Sequence, residues 1–437
     1  MKNHENHMSR DFHTIVIGGG CLGCASAISI RRRLQRRADA AESKVCVLEK
    51  SVIGSGLSAR HSGIIRAANA VPTAAKLAKI ATDQWRQLND LWGVSASFDA
   101  CGAIWIAKDD GRAGNAKWDA LEQQMQKLGI AFGKIGASEA RSMLPDFVNL
   151  YENEVYYLEP GALQFDPSSV RNLLYDGLEH NQIEVRERTE VVGFAREEDG
   201  SISAVQTKDG ERLDCQHVVN AAGPWSPAIF APLGVSIPVS VEPVNVVNWL
   251  TSYREIEGAF PIIADYINLA YFRLWRDNEI HMHQPRKRAL RETARSFAES
   301  PLSVIGSDFV NDPTNQGLGY TQIRVYEEIA RHRFNNIDQA VYGSGYRSYF
   351  DITPDLKFIL GPDHRVSNLI HCLGAGQAFK YTPVFGEIVA DFICGDGDFA
   401  ALVADFSISR FDEQYMKNFW ERVSGIDNSL EAEAASL

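Results

Sequence analysis

Residues 15–23 read Ile15-Val16-Ile17-Gly18-Gly19-Gly20-Cys21-Leu22-Gly23. An apolar run enters a glycine turn of the form G-x-G-x-x-G, and helix-forming residues follow. About one βαβ unit later comes Val45-Cys46-Val47-Leu48-Glu49, a second apolar run ending on an acid. This order is the dinucleotide fingerprint in its proper context. The glycines Gly18, Gly20 and Gly23 let the backbone approach a pyrophosphate. The helix N-terminus offers unpaired N–H groups and partial positive charge to the phosphates. Glu49 then stands where it accepts hydrogen bonds from a ribose. The pattern predicts a parallel α/β unit over about residues 11–50 with a bound dinucleotide.

The bulk properties narrow the class. At 437 residues the chain is long enough for two domains. A hydrophobic content of 45% supports full cores, and the formal charge of −12 argues against nucleic acid or an anionic membrane as partner. No run of ~20 apolar residues suggests a membrane span. Met1 to Arg10 is polar and does not read as a secretory signal. The seven cysteines are scattered, which suits a reducing cytoplasm. Cys21 and Cys24 form a C-x-x-C, but inside the glycine turn and its helix they read as packing residues. The Arg31–Arg33, Arg36 and Arg37 run reads as a solvated face.

Further along, residues 73–92 and 117–129 carry apolar residues at helical spacing. Asp166-Pro167 reads as a helix start. Glu184 to Ala195 and Ile202 to Thr207 read as strands joined by a hairpin at Glu198-Asp199-Gly200. Val218 to Gly223 is a short strand ending on glycine. Residues 236–345 change texture, with alternating apolar residues and many aromatics. There Tyr271 to Trp275 and Glu279 to His283 read as paired strands around Asp277-Asn278. Dinucleotide signals return at Asn368 to Gly374, followed by a helix from about Pro383 to Cys394. The nucleotide domain is therefore discontinuous.

Four separated motifs together resemble the D-amino-acid-oxidase-like flavoproteins, nearest the sarcosine oxidase and N-methyl-amino-acid oxidase group. They are Gly18 to Gly23 with Glu49, Ser58-Ala59-Arg60-His61-Ser62-Gly63-Ile64-Ile65-Arg66, Asn220 to Ser226, and Thr353-Pro354-Asp355 through Gly374 to Tyr381. The resemblance implies an α/β architecture, with a discontinuous Rossmann-like FAD-binding domain and a mixed-sheet α+β substrate domain. We expect the first over 11–75, 160–235 and 346–430, and the second over 76–159 and 236–345. The implied cofactor is FAD, noncovalent by default, with attachment through His61 as the alternative. Its implied contacts are Gly18, Gly20, Cys21, Leu22, Gly23, Glu49, Lys50, Ser58, Arg60, His61, Ser62, Gly63, Val191, Ala222, Gly223, Trp225, Gly374, Gly376, Gln377, Ala378, Phe379 and Lys380.

The implied chemistry is oxidation of an amino acid or N-methyl amino acid at the carbon beside nitrogen, with hydride passing to the flavin and the imine then hydrolysed. Arg66 and Lys380 match the family's carboxylate-gripping cations, and a guanidinium suits a carboxylate. The chain also departs from its relatives. Gly63 stands where sarcosine oxidases have a second arginine, Ser348 falls near their flavin-bearing cysteine, and no lysine occurs between Lys208 and Lys287. His281 lies near the missing lysine and is the third catalytic candidate. The acceptor is thus open between O2, a quinone and an electron-transfer flavoprotein. A 2-hydroxy acid dehydrogenase or oxidase is the alternative, although those relatives carry histidine where Arg66 stands. A flavin subunit of a heteromeric amine dehydrogenase is another, and an oligomer fits either. Tyr271, Phe272, Trp275 and Tyr346 are candidate pocket aromatics, with Trp249 and Tyr266 weaker ones. No metal-ligand spacing is present.

Overall fold

The computed structural model describes residues 11–37, 43–250, 260–275, 279–284, 320–335, 337–395, 397 and 399–418. Among them, two large sheets carry the fold. The first has the order Val191–Arg196, Ile202–Thr207, Arg212–Asn220, Phe12–Ile17, Val45–Leu48, Glu184–Arg186, with Leu369–Leu373 and Ile359–Pro362 added beside Arg212–Asn220. Its centre is parallel: Ile17 lies opposite both Asn220 and Leu48, and Asn220 lies opposite His371. These central strands are buried on both faces and read as continuous apolar runs, as parallel strands do. Their carboxyl ends share one edge, where ligands of open α/β sheets bind.

Two helices cover one face. Cys21–Leu34 follows the first glycine turn, and Ala378–Cys394 follows the second. Gly386 lets them approach closely, since a Cβ there would sit 2.5 Å from the Ala25 carbonyl oxygen. Arg33 bridges them, pairing with Glu387 at 2.9 Å and with Asp391. Arg31 donates to the Ser43 carbonyl, Arg32 to that of Asp90, and Arg37 to that of Cys394. Arg31, Arg32 and Arg33 are therefore half-buried tethers, whereas Arg36 and Arg37 are exposed, as a solvated face requires.

The second sheet is mixed. Its order is Val341–Ile352, Ser240–Leu250, Glu279–Gln284, Ala270–Trp275, Ile262–Asp265, Ala103–Lys108, Glu154–Glu159, Gly133–Ile135. Ile262–Asp265 pairs parallel with Ala103–Lys108, and the other pairings are antiparallel. Helix Tyr320–Arg333 packs on it through Tyr326 and Ala330, with Phe334 just past its end. The helix ends on Arg333, fully buried, which reaches Glu154 at 2.8 Å and Asp265 at 2.9 Å.

Several boundaries differ from the sequence reading. The helical stretch 73–92 breaks at Gln87 into Pro72–Arg86 and Leu88–Trp92. Glu184 to Ala195 is two strands: Glu184–Arg186 pairs with Val45–Leu48, and the chain then turns through Arg188 at φ +54° before Val191–Arg196 pairs elsewhere. The last helix starts at Ala378, not Pro383, because the glycine turn leads directly into it and buries Phe379 and Tyr381. Asp166 accepts from the Ser168 N–H and caps a short 3-10 turn before Val170–His180. Strands Ala270–Trp275 and Glu279–Gln284 pair antiparallel, while Asp277 and Asn278 lie outside the described residues.

Candidate active site

The glycine fingerprint forms because only glycine fits it. Gly18 has φ +107°, and a Cβ there would lie 2.4 Å from the Ala221 carbonyl oxygen. A Cβ on Gly23 would lie 1.9 Å from the Gly18 carbonyl oxygen. Gly23 therefore seats the helix on the turn and does not itself border the cavity, unlike the approach to pyrophosphate that its motif implies. Gly20 precedes helix Cys21–Leu34 and has no side chain of its own to cap it, and Gly20, Cys21 and Leu22 border the cavity, so the start of the helix faces a ligand there.

Glu49 is fixed before any ribose arrives. One carboxylate oxygen accepts from the Gly19 N–H and the other from the Ser51 N–H, each at 2.8 Å. Burial pushes its carboxyl upward, opposed by those two donors. Ser58 accepts from the Cys21 N–H at 2.8 Å and so clamps the next loop to the turn. Burial raises the Cys21 thiol to about 11, and Cys24 is also buried, so both are packing residues.

A cavity of about 1350 Å³ runs along the carboxyl edge of the first sheet to the face of the second. Every cofactor residue expected from the sequence lines it except Gly23. At one end lie Glu49, Lys50, Val191 and Trp225, where the Lys50 ammonium stands 4.1 Å from the centre of the Trp225 ring. In the middle are Leu22, Arg60, Ser62, Gly63, Ala222, Gly223, Gln377 and Ala378. At the other end Arg66 and Lys380 meet. The glycine geometry, the helix start facing the cavity and the cavity's volume and lining all fit FAD.

Two supports were not visible in the sequence. Asp351, buried at the end of a second-sheet strand, accepts from the Gly376 N–H at 2.8 Å and the Gly374 N–H at 3.2 Å. It thereby sets the second glycine turn, in which Ala375 and Gly376 have positive φ. His371 spans Asp363 and Asn220, 3.0 Å from each. Asn220 in turn accepts from Ser226 Oγ at 2.8 Å and the Ala222 N–H at 3.2 Å, which fixes the Ala221–Gly223 loop. Burial holds His371 below its ordinary range. The neutral ring donates from Nε2 to Asp363 and accepts at Nδ1 from the Asn220 amide.

Arg66 is oriented by aromatic groups. It donates to the Tyr271 hydroxyl at 2.9 Å and to the Ala68 carbonyl, and it lies 4.6 Å over the Trp105 ring. Burial alone would lower its pKa, but Tyr271, Tyr266 and Glu159 outweigh that and hold it above the ordinary value. Glu159 is itself buried and accepts from the Ala67 and Ala68 N–H groups and from Trp105 Nε1. Lys380, also buried, is held well below its ordinary range by burial and by Arg66. His61 stacks on Phe379 with ring centres 3.6 Å apart and accepts at Nδ1 from the Gly63 N–H. Gly63 has φ +69°, and a Cβ there would meet the Phe165 carbonyl oxygen at 2.1 Å, so no arginine fits that place.

The other candidates divide. Tyr271, Tyr266 and Ser348 border the cavity. Phe272 and Trp249 are buried in the second-sheet core and are not pocket residues. The backbone of His281 pairs with Arg273 and Asn248, but its side chain, with those of Trp275 and Tyr346, lies outside the described residues. Among the described residues no cluster could hold a metal, and no helix is long and apolar enough to cross a membrane.

Comparison with known proteins agrees with this geometry. The chain is 24% identical over 418 residues to the 4-methylaminobutanoate oxidase (formaldehyde-forming) of Paenarthrobacter nicotinovorans, covering 92% of this chain and 47% of that one. It is 26% identical over 238 residues to the glycine oxidase of Pseudomonas putida, covering 53% of this chain and 60% of that one. The chain thus spans about half the length of the curated relatives it matches. The L-proline dehydrogenase of P. horikoshii has the same fold, with a TM-score of 0.76 at 20% identity over 92% of this chain and 98% of that one. Residues 13–392 match the model of the FAD dependent oxidoreductase (DAO) family, and the chain belongs to that family.

Proposed function

We propose that the chain oxidises an amino acid or N-methyl amino acid at the carbon beside nitrogen, releasing an imine to hydrolysis. The observation that carries this reading is the pairing of Arg66 and Lys380 at one end of the cavity. Arg66 stays charged beside Lys380, while the nearby Glu159 is engaged by the Ala67 and Ala68 N–H groups and Trp105 Nε1, so the guanidinium can take a substrate carboxylate through two parallel bonds. FAD, when bound, supplies a two-electron acceptor for the hydride. Arg66 and Lys380 hold the carboxylate, and with it the carbon to be oxidised. Tyr271 and Trp105 keep the guanidinium from swinging away. The relatives' names, which include a 4-methylaminobutanoate oxidase and a glycine oxidase, support the same class.

The two-domain division belongs to the same proposal: the first sheet carries both glycine turns, and the second carries Trp105, Tyr266 and Tyr271. We also propose that FAD is held noncovalently. The stacking of His61 on Phe379 and its bond from Gly63 give the ring a place within the loop without a covalent role. Precipitation in acid should then leave all flavin colour in the supernatant.

Anaerobic titration with N-methyl amino acids, amino acids and 2-hydroxy acids tests the reaction. An amine should bleach the flavin band; bleaching by hydroxy acids alone overturns the reading. Prompt recovery on admitting air assigns O2 as acceptor, and slow recovery points to a quinone or an electron-transfer flavoprotein. Arg66→Ala should raise KM at least about 30-fold, since a charged hydrogen-bonded partner of a carboxylate contributes ~2–3 kcal/mol. FAD should remain bound.

Lys380 adds a pH dependence. Its pKa lies below the ordinary lysine value in the free site, and a bound carboxylate raises it again. Ligand binding therefore takes up a proton over the interval between the two values. Affinity for an inert carboxylate should strengthen as pH falls through that interval, and Lys380→Met should flatten the curve.

A further inference from the structure

The cavity continues past Arg66 into space that neither the dinucleotide cradle nor a carboxylate clamp requires. Its walls there are Trp105 and Tyr271 from the second sheet, Tyr266 from the turn after Ile262–Asp265, and Trp118, Leu121 and Lys117 from helix Gly111–Lys127. Lys117 is exposed, so this end opens to solvent.

We propose that this vestibule receives the substrate's side chain and selects an aromatic one. The proposal rests on the amino-acid oxidase reading above and narrows its substrate class. The rings are locked by each other. Trp105 stacks on Tyr266 with centres 5.2 Å apart and planes 9° apart. Trp118 meets Tyr266 edge-on at 4.9 Å and Trp105 edge-on at 6.2 Å. The Tyr266 and Tyr271 hydroxyls lie 3.1 Å apart, and Tyr271 accepts from Arg66. A wall already fixed in this way loses little freedom when a ligand arrives.

The rings belong to the cavity as well as to the core. Trp105 and Trp118 are buried, but Tyr266 and Tyr271 are only half-buried, and all four border the open space. A ligand as small as glycine would reach Arg66, which touches Trp105 and Tyr271, without filling the space towards Trp118 and Leu121. A cationic side chain is disfavoured, because the Arg66 guanidinium already lies over Trp105 and within 5.5 Å of the Tyr271 ring centre. A neutral planar group, stacked or edge-on, matches what the walls offer. With its carboxylate on Arg66, an aromatic amino acid would project its ring towards Trp118 and Leu121.

The test uses the FAD-loaded protein. Half-saturating concentrations for anaerobic flavin reduction are measured for N-methylglycine and N-methylphenylalanine. The aromatic compound should saturate at a concentration at least tenfold lower. In Trp118→Ala that ratio should collapse at least tenfold. Leu121→Trp provides a second variant that fills the space from the half-buried side without removing a wall ring, and it should reverse the preference. Equal saturation in the wild type, or an unchanged ratio in Leu121→Trp, overturns the proposal.

A separate readout keeps this independent of the oxidase reading. Binding of phenylacetate and acetate is followed through the flavin absorption spectrum, with no turnover required. Tighter binding of phenylacetate, lost in Leu121→Trp, supports the vestibule even if no amine reduces the flavin. Equal binding of the two refutes the vestibule even if amines do.

Discussion

Gly18→Ala is expected to lower FAD affinity at least about 100-fold, or ~2.8 kcal/mol. Two costs act together. The residue sits at φ +107°, where an L side chain is strained, and such strain costs ~1–3 kcal/mol. The added methyl would also lie 2.4 Å from the Ala221 carbonyl oxygen and 3.0 Å from Ala222 Cα. Neither atom is the free end of a flexible side chain. Both belong to the loop fixed by Asn220, so relief requires the two loops to part where the cofactor should pass between them. Isothermal titration of the flavin-free protein with FAD measures the loss. The far-UV spectrum and melting temperature of the variant, compared with flavin-stripped wild type, separate lost binding from lost folding. Retained affinity would show that the cofactor does not lie against this turn.

Arg333→Met is expected to cost ~3–5 kcal/mol of stability, the range for removing one partner of a buried ionic cluster. The guanidinium is fully buried between Glu154 and Asp265 and also donates to the Asn149 carbonyl oxygen at 2.7 Å. The two carboxylates it leaves behind have other tasks. Glu154 accepts from the Tyr151 N–H and the Tyr156 hydroxyl, and Asp265 accepts from the Ile267 and Asn268 N–H groups. They would stay in place as uncompensated charges. Urea denaturation followed by tryptophan fluorescence should show an earlier midpoint. Adding Glu154→Gln and Asp265→Asn to Arg333→Met should recover part of the loss, because the buried charge is then gone. If the triple variant is less stable still, hydrogen bonding rather than charge dominates the cluster.

What was legible in the sequence was what local chemistry dictates. Gly18 and Gly20 announce a turn by their spacing and Glu49 by following a strand, whereas Arg66 and Lys380 were candidates only through the family resemblance. All five border one cavity. Asp351 was not legible. It caps the Gly374 and Gly376 N–H groups from a strand of the other sheet, and no local pattern marks it. Glu159 and Trp118 were missed for the same reason, since each acts across sheet and helix rather than along the chain. The reading of Glu184 to Ala195 as one strand failed because its two halves take partners on opposite edges of a sheet. The tethering by the arginine run was not legible because most of its partners are distant in sequence: those of Arg33, Glu387 and Asp391, come from a helix more than 350 positions away, and Arg32 reaches Asp90.

The order of strands in the first sheet also sets a timetable for synthesis. Phe12–Ile17 emerges first, yet its neighbour Arg212–Asn220 emerges about 200 residues later, and Leu369–Leu373 later still. At ~5–20 residues per second, Gly18 waits roughly 20–70 s on the ribosome for Lys380. Until Arg212–Asn220 is made, roughly 10–40 s at the same rate, the largely buried strand Phe12–Ile17 has one edge unpaired, a template for pairing with another nascent chain. Flavin cannot shelter it, because half of the cradle has not been made. A cell producing this protein therefore gains more from holding the nascent chain apart than from a larger supply of cofactor.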